Sequence, residues 1–416
     1  MNKPAREQSP LAPYRVLDLA DESGVFCTKM LGALGADVIK VERPGGDPAR
    51  RIGPFYRDQV HPERSLHWYT YNLNKRSITL NIECKTGQEL FMRLVKTADF
   101  VVETFRPGYL ESLGLGYSDL SSVNPRIVHT SITPFGATGP YSQFKGSNLV
   151  CSAASGYMYL CGDEDRAPVE ITTPIAYVQT GLHAAAGTMM AHWYRQRTGE
   201  GQHIDVSVRE SMETQILPHP YIYKVRHIIA HRGKMGTVVP GNASHLAIFE
   251  CKDGYVVSGT TISTGRKALR DWLASEGMAG DLFDPKYDKV FNEGAPVTTE
   301  QKDHIDGLFQ AFARKHTREE LMFQAQRRKI QVTKLHDVRD VVEDRHLKER
   351  GYFVKVDHPE LGEAITYQGS PFKSSEMSWQ YWRRAPFIGE HNKEVYAGEL
   401  KLNSREMVLL KEGGVI

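Results

Sequence analysis

The side chains in this 416-residue chain that could do chemistry fall into a few small groups. Carboxylates gather at Asp163, Glu164, Asp165 and Glu170, and Glu22 stands in a short turn after an apolar run. A carboxylate held in a cleft can move a proton or carry an acyl group. The 163–170 cluster reads as a solvated polar loop, and Glu22 as a helix-capping or hydrogen-bonding group. His183 and His192 sit in an alanine-rich helical stretch, where packing is the expected role. Tyr177 lies just ahead of them, and a phenol with an ordinary pKa of ~10 stays protonated at neutral pH. The five cysteines, Cys27, Cys84, Cys151, Cys161 and Cys251, form no CxxC pair. They read as buried thiols of a reducing cytoplasm, and no metal site is expected.

Fifty-two basic against 50 acidic residues leave a net charge of +2, which gives no electrostatic reason to expect a nucleic-acid partner. The first 13 residues are polar and proline-rich, without a signal-like apolar run. No segment has the length and apolarity needed to span a bilayer. The expectation is a soluble cytoplasmic protein with no membrane partner.

These groups must be positioned by a fold whose pattern is legible. Residues 15–20 form an apolar run, 24–34 carry helical spacing closed by Gly35, and 37–41 form a second run. Strand, helix and strand in so few residues imply a βαβ unit with a parallel sheet. Further strands are expected at 77–82, 100–103, 126–132 and 203–208, with helices at 88–97 and 180–196. This is an α/β, doubly wound, Rossmann-like domain. Its first turn, Ala-Asp-Glu-Ser-Gly (20–24), lacks GxGxxG, so nicotinamide dinucleotide is not expected, although Glu42 stands where a ribose-binding acid would. Beyond residue 216 prolines and charged helices change the texture, and a hairpin is expected over 248–257. Residues 216–334 read as a smaller α+β domain, with strands again at 352–356 and 364–368.

Several blocks carry a resemblance to the family III (CaiB/BaiF-type) coenzyme A transferases. They are Leu-Gly-Ala-Leu-Gly-Ala-Asp-Val-Ile-Lys-Val-Glu-Arg-Pro (31–44), Asn-Leu-Asn-Lys-Arg-Ser-Ile-Thr-Leu (72–80) and Val-Glu-Thr-Phe-Arg-Pro-Gly (102–108). Others are Phe-Gly-Ala-Thr-Gly-Pro-Tyr (135–141), the stretch 174–182, Arg-Thr-Gly-Glu-Gly-Gln (197–202) and Arg-Arg-Ala-Pro-Phe-Ile-Gly-Glu-His-Asn (383–392). The resemblance implies a discontinuous large domain, 1–215 and 335–416, and two subunits threaded as interlocked rings. Coenzyme A or an acyl-CoA would be a substrate, with no permanently bound cofactor. By the same resemblance Arg43, Lys75, Arg76, Phe105 and Lys145 border coenzyme A. Arg106 joins them as a neighbouring cation, because phosphates need fixed positive charge.

The resemblance also identifies what is missing. Tyr177 occupies the position of the family's acyl-accepting aspartate, and a phenol cannot form the mixed anhydride that returns a thioester. Gly146-Ser147-Asn148 stands where the family's racemases read Gly-His-Asp, so their bases are absent too. No catalytic residue is therefore assigned to this chain. The expected role is the non-catalytic subunit of a heteromer. Its homologous partner would carry the aspartate and move coenzyme A between a donor such as succinyl-CoA and a small carboxylic acid, benzylsuccinate being one candidate. The alternatives are a homodimer using a relocated carboxylate for transfer or isomerisation, and a non-enzymatic acyl-CoA scaffold.

Overall fold

The computed structural model describes residues 9–233, 238–239, 247–259 and 265–416. Apolar runs buried on both faces make a six-stranded parallel sheet, ordered β3-β2-β1-β4-β5-β6. Its strands are β1 (Arg15–Leu19), β2 (Asp37–Glu42), β3 (Arg76–Thr79), β4 (Phe100–Glu103), β5 (Val128–Thr133) and β6 (Gln202–Ser207). The order reverses between β1 and β4, so a crevice opens beyond the strand ends there, as expected for a doubly wound sheet.

Helices α1 (Val25–Ala33), α2 (Leu66–Tyr71), α3 (Lys85–Val95), α4 (Tyr109–Ser112), α5 (Tyr117–Val123), α6 (Asn148–Ala154), α7 (Ile175–Thr198) and α8 (Val208–Glu213) flank the strands. Leu17, Leu19, Ile39 and Val41 pack with Leu90, Phe91 and Leu94 of α3 and Leu120 of α5. α1 and α7 lie against one another. Gly181 permits this, since a Cβ there would sit 2.7 Å from Cβ of Phe26 and 3.0 Å from the Cys27 nitrogen.

Between β1, β2 and α1 the core is ionic. Lys75 is 0% exposed and donates to Asp18 Oδ2 at 2.8 Å, Thr28 Oγ1 at 2.8 Å and Asn72 Oδ1 at 2.9 Å. Lys40, equally enclosed, lies 3.7 Å from Asp18 Oδ1 and 2.9 Å from Asp47 Oδ2. Burial alone would raise the Asp18 carboxyl, but the two ammonium groups hold it below the ordinary carboxylate value. Every proton of the Lys75 ammonium has an acceptor.

The chain divides into two compact units. Met1–Ser155, Thr172–Gln215 and Arg345–Ile416 contain the parallel sheet and a hairpin of β12 (Phe353–His358) and β13 (Glu363–Gln368). Gly156–Ile171 and Ile216–Asp344 form the other unit. It holds the short pair β7 (His231–Arg232) and β8 (Val238–Val239), and a sheet of β9 (Ala247–Cys251), β10 (Gly254–Ser258) and β11 (Val332–Lys334). Phe249, Trp272, Phe309 and Phe312 make its core. Residues 156–171, read from sequence with the large domain, group with this second unit, and its far boundary falls at Asp344 rather than 334. Among the described residues no helix is long and apolar enough to cross a membrane.

Replacing Lys75 by Met leaves Asp18 charged and buried without its closest cation. Urea unfolding of Lys75→Met should show a loss of about 3–5 kcal/mol. Arg43→Met, at an exposed position, should stay within about 0.5 kcal/mol of wild type.

Candidate functional site

The strand ends on the side where β1 and β4 diverge enclose a cavity of about 420 Å³. Leu19, Val41, Leu80 and Ile82 supply an apolar floor, and Thr104, Phe105 and Tyr109 one wall. The rings of Phe105 and Tyr109 lie 4.8 Å apart, a flat apolar surface of the kind a heteroaromatic ring stacks on. A second cavity of about 440 Å³ lies around Arg15, Asp37 and Arg76, at the opposite ends of the strands. There Arg15 and Arg76 are already paired with Asp37 and Glu399. Arg383 also lines this second cavity, bonded to His391.

The structure separates the six residues expected to border a coenzyme. Arg43 and Phe105 line the first cavity. Arg106 is exposed beside it, and it and Arg43 both act electrostatically on the Tyr109 phenol. Lys145 is exposed in the loop before α6 and does not line the cavity. Lys75 is sealed inside the Asp18 network. Arg76 opens β3 at the far end of the sheet, bound to Asp37, Glu394 and Glu399. Neither cation reaches the crevice, because each already neutralises buried or half-buried acids. Glu42 is likewise engaged, by Arg50 at 2.6 and 2.7 Å and by Ser77 Oγ at 2.6 Å.

Sequence reasoning missed the acids of the lining, Asp21, Asp47 and Glu83, and the wall residues Thr104 and Tyr109. The available signal was their place just after strand ends. Asp47 is neutralised by Lys40. Asp21 and Glu83 remain, set against Arg43, so the lining itself carries more negative than positive charge, with Arg106 beside it.

Tyr177 is half-buried in the first turn of α7. Loss of water pushes its phenol well above the ordinary value, and Glu22 and Asp21 push it further, whereas the backbone N–H of Asn148 bonds the oxygen and pulls the other way. The proton therefore stays on at any physiological pH. Asn148 Oδ1 accepts from the Ala176 N–H at 3.0 Å and Ser147 Oγ from the Val150 N–H at 3.3 Å, so both residues hold helix starts rather than act as bases. Glu22 does not cap α1, whose first turn has no side-chain cap. Its charge acts on the Tyr177 phenol, and its own carboxyl is raised by partial burial and by Asp21 and Asp47. His192 packs between Tyr14 and Phe100. Asp163, Glu164, Asp165 and Glu170 belong to the second unit. In a spectrophotometric titration, wild type and Tyr177→Phe should gain the same tyrosinate signal up to about pH 11, one unit past an ordinary phenol. A difference of one phenol below that pH would show Tyr177 ionising normally.

The sequence is 36% identical over 387 residues to the succinyl-CoA:(R)-benzylsuccinate CoA-transferase subunit BbsE of Thauera aromatica, covering 92% of each chain. It is 32% identical over 403 residues to the succinyl-CoA–L-malate CoA-transferase β subunit of Chloroflexus aurantiacus, covering 93% of each. A crystal structure of a CaiB/BaiF family protein from Brucella suis superposes with a TM-score of 0.80 at 28% identity, covering 94% of this chain and 99% of the other. Residues 11–392 match CoA-transferase family III, and the chain belongs to that family.

Proposed function

We propose that this chain is the non-catalytic subunit of a heteromeric CoA-transferase. Tyr177 is the observation that carries the reading. The transfer reaction needs a carboxylate that becomes an acyl anhydride and then a thioester, and a phenol locked in its protonated form supplies neither. A homologous partner with an aspartate at that position would hold the acyl group. Coenzyme A would pass from a donor such as succinyl-CoA to a carboxylic acid, with benzylsuccinate favoured by the likeness to BbsE. Assembly would be the interlocked pair expected from the family. Met190 and Trp193, each 68% exposed on α7, give the first unit an apolar face for a partner to cover.

The lining charge fits this division of labour. Asp21 and Glu83 repel a ligand bearing three phosphates, so coenzyme A should bind weakly to this chain's own crevice. By calorimetry, Glu83→Lys should tighten that binding about tenfold, near 1.4 kcal/mol, and more at low salt. One observation favours a second reading, a homodimer whose relocated nucleophile is Glu22, because that carboxylate lies just past the end of β1, close enough for its charge to act on the Tyr177 phenol.

Hydroxylamine trapping with peptide mass analysis separates the two. The chain alone should give no hydroxamate and no turnover, and the chain co-expressed with a homologous catalytic subunit should give both, with the adduct on the partner's aspartate. An adduct on Glu22, lost in Glu22→Gln, would establish the second reading. Tyr177→Asp should assemble like wild type and acquire a trappable adduct of its own.

A further inference from the structure

Glu103 ends β4 and is 5% exposed, and among the described residues no lysine or arginine is paired with it. Its Oε2 accepts from the Phe105 N–H at 2.6 Å, and the Ser131 hydroxyl bonds the same carboxylate. Phe105 and the intervening Thr104 are the wall of the crevice. Thr104 Oγ1 accepts in turn from the Asp21 N–H at 2.9 Å. The wall thus hangs between a buried acid and the β1–α1 turn.

Behind Glu103 lies an unmet need. His129 is 2% exposed, and neither ring nitrogen has a hydrogen-bond partner among the described residues. Its Nε2 is 3.8 Å from Glu103 Oε1, too far for a hydrogen bond. With its proton on Nδ1, a dry imidazole whose Nε2 has no donor to accept from is unfavourable. It cannot solve this by charging itself, since burial and His203 press it down to about 3. A proton on Glu103 would supply the missing donor after a shift of about 1 Å, closing the gap to hydrogen-bond length.

A route for that proton exists. Ser131 Oγ is 2.9 Å from Nε2 of His203, which is exposed on the edge strand β6. A serine hydroxyl has one proton; directed at the charged carboxylate, it leaves its oxygen to accept from His203. Tyr117 of α5 stacks on both imidazoles. The remaining charges acting on the cluster are acids: Glu111 of α4 and Asp21 on Glu103, Asp205 and Glu111 on His203.

We propose that Glu103 is a positioning residue for the crevice wall, with two states. As a carboxylate it holds the Phe105 N–H and sets the ring against Tyr109. As an acid it donates from Oε1 to His129 Nε2, and Oε2, now a neutral carbonyl oxygen drawn towards β5, holds the Phe105 N–H more weakly. Burial, above all, raises Glu103 to about 7, so both states are populated near neutrality. The description of the wall as part of a coenzyme site rests on the reading above; the two-state wall itself does not.

Two ligand-free readouts test it on the assembled protein. Difference infrared spectroscopy should show a buried carboxylic-acid band that titrates near pH 7 and is absent in Glu103→Gln. With ¹⁵N-phenylalanine labelling, the Phe105 amide should shift with the same midpoint, and stay flat in Glu103→Gln. His129→Leu removes the acceptor of the acid and should lower the midpoint; Ser131→Ala removes a donor to the carboxylate and should raise it. These two variants carry the test if Glu103→Gln does not fold. A carboxyl that titrates in the ordinary glutamate range, or a midpoint unmoved in both variants, would overturn the proposal. Loss of coenzyme A binding alone would leave it standing.

Discussion

The rest of the architecture depends on a buried carboxylate, Asp18, shared by two lysines. Asp18 and Lys40 are neighbours in the β1–β2 register, Thr28 reaches down from α1, and Lys75 comes from the turn before β3. Four consecutive pieces of chain are thereby tied at one point on the α1 face of the sheet. Removing the ions from water is unfavourable, and the arrangement holds only because each proton and lone pair finds a partner. Such a point tolerates one register. It fixes where β1 ends, and so where Asp21, Glu22 and the crevice begin.

What the sequence showed clearly was periodicity. The runs at 15–20, 37–41 and 100–103 and the helix over 180–196 are strands and a helix in the structure, because burial on both faces leaves continuous apolar runs. What it hid was the destination of charge. Lys75 and Arg76, in the Asn-Leu-Asn-Lys-Arg string, were expected to border coenzyme A, yet one is sealed and the other is bound among acids at the opposite strand ends. The clue was on other strands: Asp18 interrupts Val-Leu-Asp-Leu, and Asp37 opens β2, acids that a buried sheet keeps only with cations opposite. The helix-capping half of the Glu22 reading failed for a similar reason, since the Tyr177 phenol on which its charge acts lies 155 residues away in sequence. The acids lining the crevice were invisible because a strand-end position becomes a lining position only once the strand order is known.

Tyr177 is the residue on which the proposed division of labour turns. The phenol sits where α7 begins, its oxygen met by the Asn148 amide, while Ser147 and Asn148 have become parts of helix starts. Glu22 and Asp21 act on it as acids, which adds to the effect of burial in keeping the phenol neutral. The protonated phenol and the acid-rich lining are the two observations behind the proposed role as a subunit that shapes an assembly.

The strand at the sheet's outer margin, β3, is closed by the far end of the polypeptide. The Ser77 N–H donates to His391 Nδ1, the Thr79 N–H to Asn392 Oδ1, and the Tyr396 hydroxyl to the Thr79 carbonyl. Trp68 and Arg50 both donate to the carbonyl of Pro386. During synthesis, then, the first-made sheet waits with a bare margin until about three hundred more residues have left the ribosome. The second unit has its own core and emerges complete in that interval, so the late-made unit finishes before the early-made one.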